Sequence, residues 1–308
     1  MRTTFINTLT EMAREDEKIM CVIGDTGFSV FEDFEKEFGP RFVNVGIAEQ
    51  NFVSFGAGLA AMGLKPYIYN VVSFMTLRGM EQIFLDVCYQ ENPVVMIGVG
   101  GGFAYSVAGP THHAIHDIAM MTEIPNLTVV CPGDPVEMRA LMLETRNYNK
   151  PIYIRIGRSV DPVVHEKDID FKIGKAIRME SGELATLYVT GVMLKTAVEA
   201  QRILASRGIS VGLVSMPTIK PIDDAPIIED LENGRYIFTL EEHSVLGGLG
   251  DAIGRVILDN LHYKAKGFKK FGVKDEFVPV TGSRDYLDEL YGMTPELIAD
   301  QIEMALRD

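Results

Sequence analysis

Short apolar segments alternate with longer segments of helical periodicity through the first half of the chain. Apolar runs of four to eight residues, bounded by turn residues, are typical of strands buried on both faces of a parallel sheet. The predicted strands are Ile19–Gly24, Phe42–Val45, Pro66–Val72, Val94–Val99, Leu127–Cys131 and Ile152–Ile156. The predicted helices are Ile47–Met62, Thr76–Gln90, Ala114–Thr122 and Pro135–Asn147. This alternation predicts an α/β domain over residues 1–159.

The alternation stops in a charged segment, residues 160–183, and then resumes. We interpret this segment as a linker, because it is rich in charge and has no clear period. The strands predicted beyond it are Leu184–Val189, Val211–Ser215 and Tyr236–Leu240, and the helices are Leu194–Ser206 and Gly247–Asn260. The pattern therefore predicts two domains, each with a mostly parallel sheet covered by helices, the second being a smaller α/β domain over residues 184–308. A length of 308 residues is sufficient for both.

Composition excludes several classes of function. The formal charge of −14 disfavours nucleic acid or an anionic membrane surface as a partner. No apolar run is long enough to span a bilayer, and the amino-terminal segment resembles neither a signal nor a transit peptide. The cysteines, Cys21, Cys88 and Cys131, lie in apolar segments and are expected to be buried and unpaired. We therefore expect a cytoplasmic protein.

Candidate chemistry lies after the predicted strands, since ligands of open parallel sheets bind beyond the carboxyl ends of the strands. Glu49 begins a helix that is otherwise almost wholly apolar, which predicts a carboxylate shielded from water. Burial opposes its charged form, whereas the positive end of the helix dipole favours that form. From the residues alone, Glu49 is either a functional carboxylate or a residue that only neutralises the helix dipole.

A long glycine-rich segment, residues 98–113, follows another predicted strand and ends in Gly-Pro-Thr-His-His. A loop of this length inside a domain is usually functional. Its His112 is four residues from His116, so a shared metal site, a structural role and proton transfer all remain open. Elsewhere, Gly24-Asp-Thr followed by Asn51 only roughly imitates the pattern with which thiamine enzymes hold magnesium and diphosphate.

Several segments together resemble the carboxy-terminal half of the transketolase family of thiamine-diphosphate-dependent enzymes. The similar segments are NVGIAEQN (44–51), SFMTLRGMEQI (73–83), AGPTHHAIHD (108–117), IPNLTVVCPGD (124–134), YIRIGRS (153–159) and EEHSVLGGLGDA (241–252). Their order and spacing match the family over nearly the whole chain. Agreement of several motifs in order is far more specific than agreement of any single motif.

The resemblance implies a pyrimidine-binding domain followed by the family's carboxy-terminal domain. The diphosphate-binding domain has no counterpart in this sequence, so the resemblance implies one subunit of a split transketolase. A partner chain would carry that domain and hold most of the Mg²⁺ coordination, in a heterotetramer of two plus two chains in which this chain also self-associates as a dimer. The activity implied is transfer of a two-carbon ketol unit from a ketose or ketose phosphate to an aldehyde.

The resemblance also assigns roles to individual residues. Glu49 corresponds to the glutamate that hydrogen-bonds the aminopyrimidine ring of the cofactor, and Phe74 to the aromatic residue that stacks on that ring. Arg78, four residues after Phe74, is expected on the same side of the helix and is included in the cofactor site. His112 corresponds to a histidine that contacts substrate hydroxyls and is counted as catalytic.

The other expected substrate residues are His113, Asp25, Arg155 and Arg158. His113 stands where the family usually has glutamine. Either arginine matches the family's phosphate-binding arginine, and the sequence does not decide between them. Ala108 stands where transketolases have an acidic residue that recognises a substrate hydroxyl, so an unusual sugar is expected.

Two alternative functions stay open. One is a decarboxylating enzyme, similar either to deoxyxylulose-phosphate synthase or to the β subunit of a 2-oxoacid dehydrogenase. The other is a non-catalytic regulatory subunit that keeps the fold. Release of carbon dioxide would favour the first, and turnover independent of Glu49 the second.

Overall fold

Each strand predicted from the sequence is present in the structure, with small shifts at its ends. The computed structural model describes residues 1–158, 161–263 and 265–307. Within these residues the strands are β1 (Ile19–Ile23), β2 (Phe42–Asn44), β3 (Lys65–Val71), β4 (Val95–Val99), β5 (Thr128–Val130), β6 (Ile152–Ile156), β7 (Ile177–Glu180), β8 (Ala185–Val189), β9 (Val211–Ser215), β10 (Thr218–Lys220), β11 (Tyr236–Ser244) and β12 (Gly267–Val273). The boundary predicted between residues 159 and 160, and residue 308, lie outside the described residues.

The helices cover both sheets. In the same ranges they are α1 (Arg2–Glu15), α2 (Glu32–Phe38), α3 (Glu49–Ala61), α4 (Val72–Arg78), α5 (Met80–Gln82), α6 (Asp117–Glu123), α7 (Pro135–Thr145), α8 (Leu194–Ser206), α9 (Ala225–Glu232), α10 (Leu249–Asp259), α11 (Arg284–Leu290) and α12 (Pro295–Arg307). The helix predicted over Thr76–Gln90 is interrupted: α4 ends before Gly79, and after α5 the chain continues as a π-helical stretch, Ile83–Tyr89. Such stretches are frequent at functional sites.

The first sheet has the strand order β10-β5-β6-β4-β3-β1-β2. All neighbouring pairs are parallel except β10 with β5. Strand β10 comes from the second half of the chain, so the first sheet is completed by residues that are distant in sequence. The predicted α/β class is confirmed, and the sheet edge is the part that the local pattern missed.

The second sheet has the order β12-β11-β8-β9-β7. Its edge strand β7 lies inside the charged segment 160–183 and pairs antiparallel with β9. Alternating burial along β7 explains why this strand lacks the continuous apolar run of its neighbours. The second sheet therefore begins before residue 184.

The two domains share part of one hydrophobic core. A single cluster of buried residues joins Val22 and Met96 of the first sheet to Tyr188, Val214 and Ile237 of the second. Strand β11 also continues four residues beyond the predicted end at Leu240, and these four are all buried. The domains are thus packed against each other by apolar and polar contacts together.

Two expectations about composition can be compared with the structure. Cys21, Cys88 and Cys131 are buried and free, as predicted. Among the described residues, no helix combines the length and apolar character needed to cross a membrane.

Candidate functional site

Glu49, Arg78 and Phe74 meet at the carboxyl ends of the first-sheet strands. Glu49 is the first residue of α3 and is only 6 % exposed, because the apolar helix behind it is buried. Nη1 of Arg78 donates a hydrogen bond of 3.0 Å to Oε1 of Glu49. The Arg78 guanidinium also lies 4.4 Å from the centre of the Phe74 ring. Helices α3 and α4 thus bring the Glu49 carboxylate and the Phe74 ring together around the Arg78 guanidinium.

His112 extends this group from the loop after β4. Its ring lies edge-on to Phe74 with ring centres 5.1 Å apart, and 5.6 Å from the ring of Tyr105. Nδ1 of His112 is 2.9 Å from the hydroxyl oxygen of Thr111. Helix α6 begins only at Asp117, so His112 lies in a turn and does not share a helical face with His116.

Arg158 lies at the far end of the same group. Its guanidinium is 4.5 Å from the centre of the Tyr105 ring, and Arg158 is exposed. Burial raises the pKa of the Tyr105 phenol. The structure therefore brings together five of the expected residues and adds Tyr105, whose position in a glycine-rich loop was the only sequence signal for it. The five are Glu49, Phe74, Arg78, His112 and Arg158.

Arg155 is in a different environment from Arg158. It is 4 % exposed, and its Nε donates to the Asp117 carboxylate at 2.9 Å. Its Nη2 donates to the carbonyl oxygens of Ala114 and Glu242 at 2.8 and 2.9 Å. Burial by itself lowers the pKa of Arg155, but the surrounding acidic groups, Asp117 foremost, together outweigh burial and raise it above its usual value. These bonds hold Arg155 inside the protein, with its Nε and Nη2 directed at protein acceptors.

His113 and Asp25 also lie outside the group. His113 is buried, and its Nε2–H donates to the carbonyl oxygen of Ser106 at 2.9 Å, so it supports the loop from within. Asp25 is exposed after β1 and exchanges hydrogen bonds of 3.0 and 3.1 Å with Asn44. Among the hydrogen bonds of the described residues, none joins either side chain to His112, Phe74 or Glu49.

The residues present fit the aminopyrimidine ring of thiamine diphosphate. A shielded carboxylate beside an aromatic face can accept a hydrogen bond from a ring nitrogen while the ring stacks. Two buried polar atoms without hydrogen-bond partners lie in the same short segment as Phe74, namely Nδ2 of Asn70 and Oγ of Ser73. Among the described residues, no group of three or more His, Cys, Asp or Glu side chains is arranged to hold a metal ion.

Comparison with known families assigns both halves of the chain. The family model described as "Transketolase, pyrimidine binding domain" matches residues 1–161. The model described as "Transketolase, C-terminal domain" matches residues 174–298. The chain belongs to the transketolase family. The resemblance stated from the motifs is therefore confirmed.

Relatives of this transketolase chain include two enzyme subunits. An apulose-4-phosphate transketolase subunit of Phocaeicola vulgatus is 36 % identical, over 96 % of this chain and 94 % of that protein. A 6-deoxy-6-sulfo-D-fructose transketolase subunit of a Clostridium species is 31 % identical, over 97 % and 92 %. The prediction that this chain is a transketolase subunit is confirmed.

A solved structure supports the same assignment. A chain described as "Split gene transketolase, inactive beta4 tetramer" superposes with a TM-score of 0.91 at 34 % identity, covering 99 % of this chain and 98 % of that one. In the present transketolase chain, the extension of β11 contains the motif EEHS. No role was predicted for the individual residues of that motif, although the fold places the backbone of Glu242 against Arg155.

Proposed function

We propose that this transketolase chain supplies the pyrimidine-binding and carboxy-terminal domains of an enzyme divided over two chains. The observation that carries the proposal is the convergence of Glu49, Phe74 and His112 from three separate elements. A partner chain would supply the diphosphate-binding domain and Mg²⁺, in a heterotetramer of two plus two chains. This arrangement is supported by a relative of nearly the same length that is itself named as one subunit of a transketolase.

The reaction proposed is transfer of a two-carbon ketol unit. One carbon–carbon bond of a ketose breaks beside the carbonyl carbon, and the same unit forms a new bond to the carbonyl carbon of an aldehyde. The chemistry supplied by thiamine diphosphate, when it is bound, is a nucleophilic carbon. Glu49 would accept a hydrogen bond from the aminopyrimidine ring, and Phe74 would stack on that ring.

His112 and Arg158 would contact the sugar. Both side chains are accessible beside Tyr105, and the histidine offers a ring nitrogen to a substrate hydroxyl. A guanidinium binds a phosphate or sulfonate through two parallel hydrogen bonds. We assign this part to Arg158 and not to Arg155, because Nε and Nη2 of Arg155 are directed at Asp117, Ala114 and Glu242.

The substrate would be an unusual ketose or ketose phosphate. Ala108 is exposed at the end of a short helical turn, so a charged acceptor is missing from this part of the loop. The names of two relatives specify a sugar phosphate and a sulfonated sugar, each with an anionic group. Such a group matches the exposed guanidinium of Arg158.

The test is reconstitution with the partner chain and substitution of Glu49. We expect ketol transfer by the pair with thiamine diphosphate and Mg²⁺, and loss of most turnover in Glu49→Gln. The matched control is Glu144→Gln, which changes an exposed carboxylate on α7. Unchanged turnover in Glu49→Gln would point to a regulatory subunit, and release of carbon dioxide from a 2-oxo acid would point to a decarboxylating enzyme.

Partner dependence has a separate test. Calorimetric titration of this chain alone with thiamine diphosphate and Mg²⁺ is expected to give weak binding, because only the aminopyrimidine end has its contacts here. Tight stoichiometric binding that requires Mg²⁺ would contradict the divided site.

A further inference from the structure

The end of strand β11, in the second domain, lies against the base of the loop that contains His112. The backbone N–H of Ser244 donates to the carbonyl oxygen of Ile115 at 2.8 Å. The base itself is closed by Gly102 and Ala114, whose backbones exchange hydrogen bonds of 2.8 and 3.1 Å. His112 is only two residues before Ala114. The base of the loop therefore lies within two residues of His112.

Arg155 ties three elements together at this point. Its Nη2 bonds the carbonyl oxygens of Ala114 in the loop and Glu242 in β11, and its Nε bonds Asp117 at the start of α6. The guanidinium therefore fixes the distance between the loop and β11. A buried arginine with several directed donors holds geometry better than a flexible lysine would.

The side chain of Glu242 contacts the loop at Gly102. It is fully buried, and neither carboxylate oxygen has a hydrogen-bond partner of good geometry. Its charge is balanced by Arg284 of α11, whose Nη2 is 2.8 Å from Oε1. A Cβ atom built on Gly102 would lie 1.9 Å from Oε2, so the carboxylate is in direct contact with the loop backbone.

Burial of the Glu242 carboxylate lowers the stability of the fold, so its presence here requires a role other than stabilisation. A buried carboxylate without well-formed hydrogen bonds is destabilising, and an apolar side chain would fill the same space at lower cost. A charged side chain held by one ion pair, however, has a defined direction. The Glu242 charge in turn raises the pKa of Arg284.

We infer that Glu242 is a positioning residue for His112: anchored by Arg284, it holds the base of the loop at Gly102 so that the histidine ring keeps its place between Phe74 and Tyr105. This inference rests on the proposed function, in which His112 contacts substrate. The carboxy-terminal domain would then determine the geometry of a site that lies in the first domain.

The test compares Glu242→Gln with Glu241→Gln. Glu241 is the matched control because it is equally buried but points to α10, where it accepts N–H bonds from Leu249 and Gly250 at 2.8 Å. The ring carbon–proton signals of the 6 histidines are recorded by NMR on the chain, and the His112 signal is assigned with His112→Gln. We expect Glu242→Gln to shift the His112 signal and Glu241→Gln to leave it in place.

Kinetics of the reconstituted pair provide the second measurement. We expect Glu242→Gln to lower kcat by about 10- to 100-fold, the usual effect of displacing a catalytic group by a fraction of an ångström to one ångström. In the His112→Gln background the same substitution should change kcat by less than about threefold, because the two residues act through one another.

Each result decides between the hypotheses. An unshifted His112 signal, or equal kcat losses in both backgrounds, overturns the positioning role. If Glu242→Gln does not fold, Arg284→Gln removes the anchor from a partly exposed position and must give the same shift. A shifted signal in a pair that transfers no ketol unit would leave the positioning role intact and would refute the proposed function instead.

Discussion

Replacement of Arg155 by methionine should destabilise the chain far more than the same replacement of Arg158. Methionine keeps much of the length of the side chain but removes all of its donors. In Arg155→Met, the Asp117 carboxylate would remain buried with a single side-chain donor, the Tyr153 hydroxyl at 2.7 Å. The carbonyl oxygens of Ala114 and Glu242 would also lose the Arg155 donor, although Ala114 keeps its bond from the backbone N–H of Gly102.

The magnitude follows from this geometry. Removing one partner of a buried ion pair costs about 3–5 kcal/mol, because the other charge stays buried and uncompensated. That is roughly a third or more of the stability of a typical domain. Arg158 is exposed and packs on Tyr105, a contact that contributes about 0.5–1 kcal/mol. Arg158→Met should therefore change the free energy of unfolding by less than about 1 kcal/mol.

Urea unfolding followed by circular dichroism measures both values, a suitable probe because the chain has no tryptophan. The double variant Arg155→Met with Asp117→Asn should recover part of the loss, because no isolated charge remains. In the reconstituted pair, Arg158→Met should raise KM for an anionic sugar by about 10- to 100-fold, as expected for loss of a charged hydrogen bond. An unfolding free energy of Arg155→Met within about 1 kcal/mol of the wild type would refute this account.

Three further changes test other parts of the structure. Burial lowers the pKa of His165, but its hydrogen bond to Glu137 and the charges of Glu137 and Asp134 together outweigh burial and raise the pKa overall. The His165–Glu137 pair should therefore stabilise the folded state fully below about pH 6.5 and lose this effect as pH rises through the raised folded-state pKa. The urea midpoint of His165→Gln should accordingly approach that of the wild type at alkaline pH. A difference between the two midpoints that does not change with pH would contradict this. Gly102→Ala should lower the free energy of unfolding by several kcal/mol more than Gly63→Ala, because both glycines have positive φ but only Gly102 faces a buried carboxylate. Urea unfolding of both variants measures this difference. Equal losses of unfolding free energy would exclude a clash with the carboxylate. Ala108→Asp should shift the ratio of kcat/KM values toward ordinary hydroxylated ketoses by about 10-fold or more, and an unchanged ratio would remove the loop from substrate recognition.

The apolar periodicity of the sequence was enough to predict most strands and several helices, although not the 13-residue α12. Their signal is local, because a strand buried on both faces needs a run of apolar residues wherever its neighbours lie. The position of Glu49 at the start of an apolar helix was local in the same sense, and its burial followed from that pattern. Strands β7, β10 and β12 were missed: β7 is half-polar, β10 is only three residues long, and β12 has only two buried residues, Phe271 and Val273.

The roles of Arg155 and Arg158 could not be separated by sequence. The two residues are three apart on one short segment, and both have the same chemistry. Only the approach of β11 and α6 buries the first and leaves the second beside Tyr105. The contact of Glu242 with Gly102 is of the same kind, since it joins residues 140 positions apart.

The sequence by itself therefore determined which segments form strands and helices, which family the chain resembles, and which carboxylate begins the buried helix, because each of these depends on neighbouring residues. The tertiary structure alone decided which arginine is buried and which is exposed beside Tyr105, how the first sheet is completed, and what holds the base of the His112 loop. Those outcomes depend on contacts between residues that are far apart in the sequence, because these contacts decide which polar groups are buried and which stay exposed to solvent.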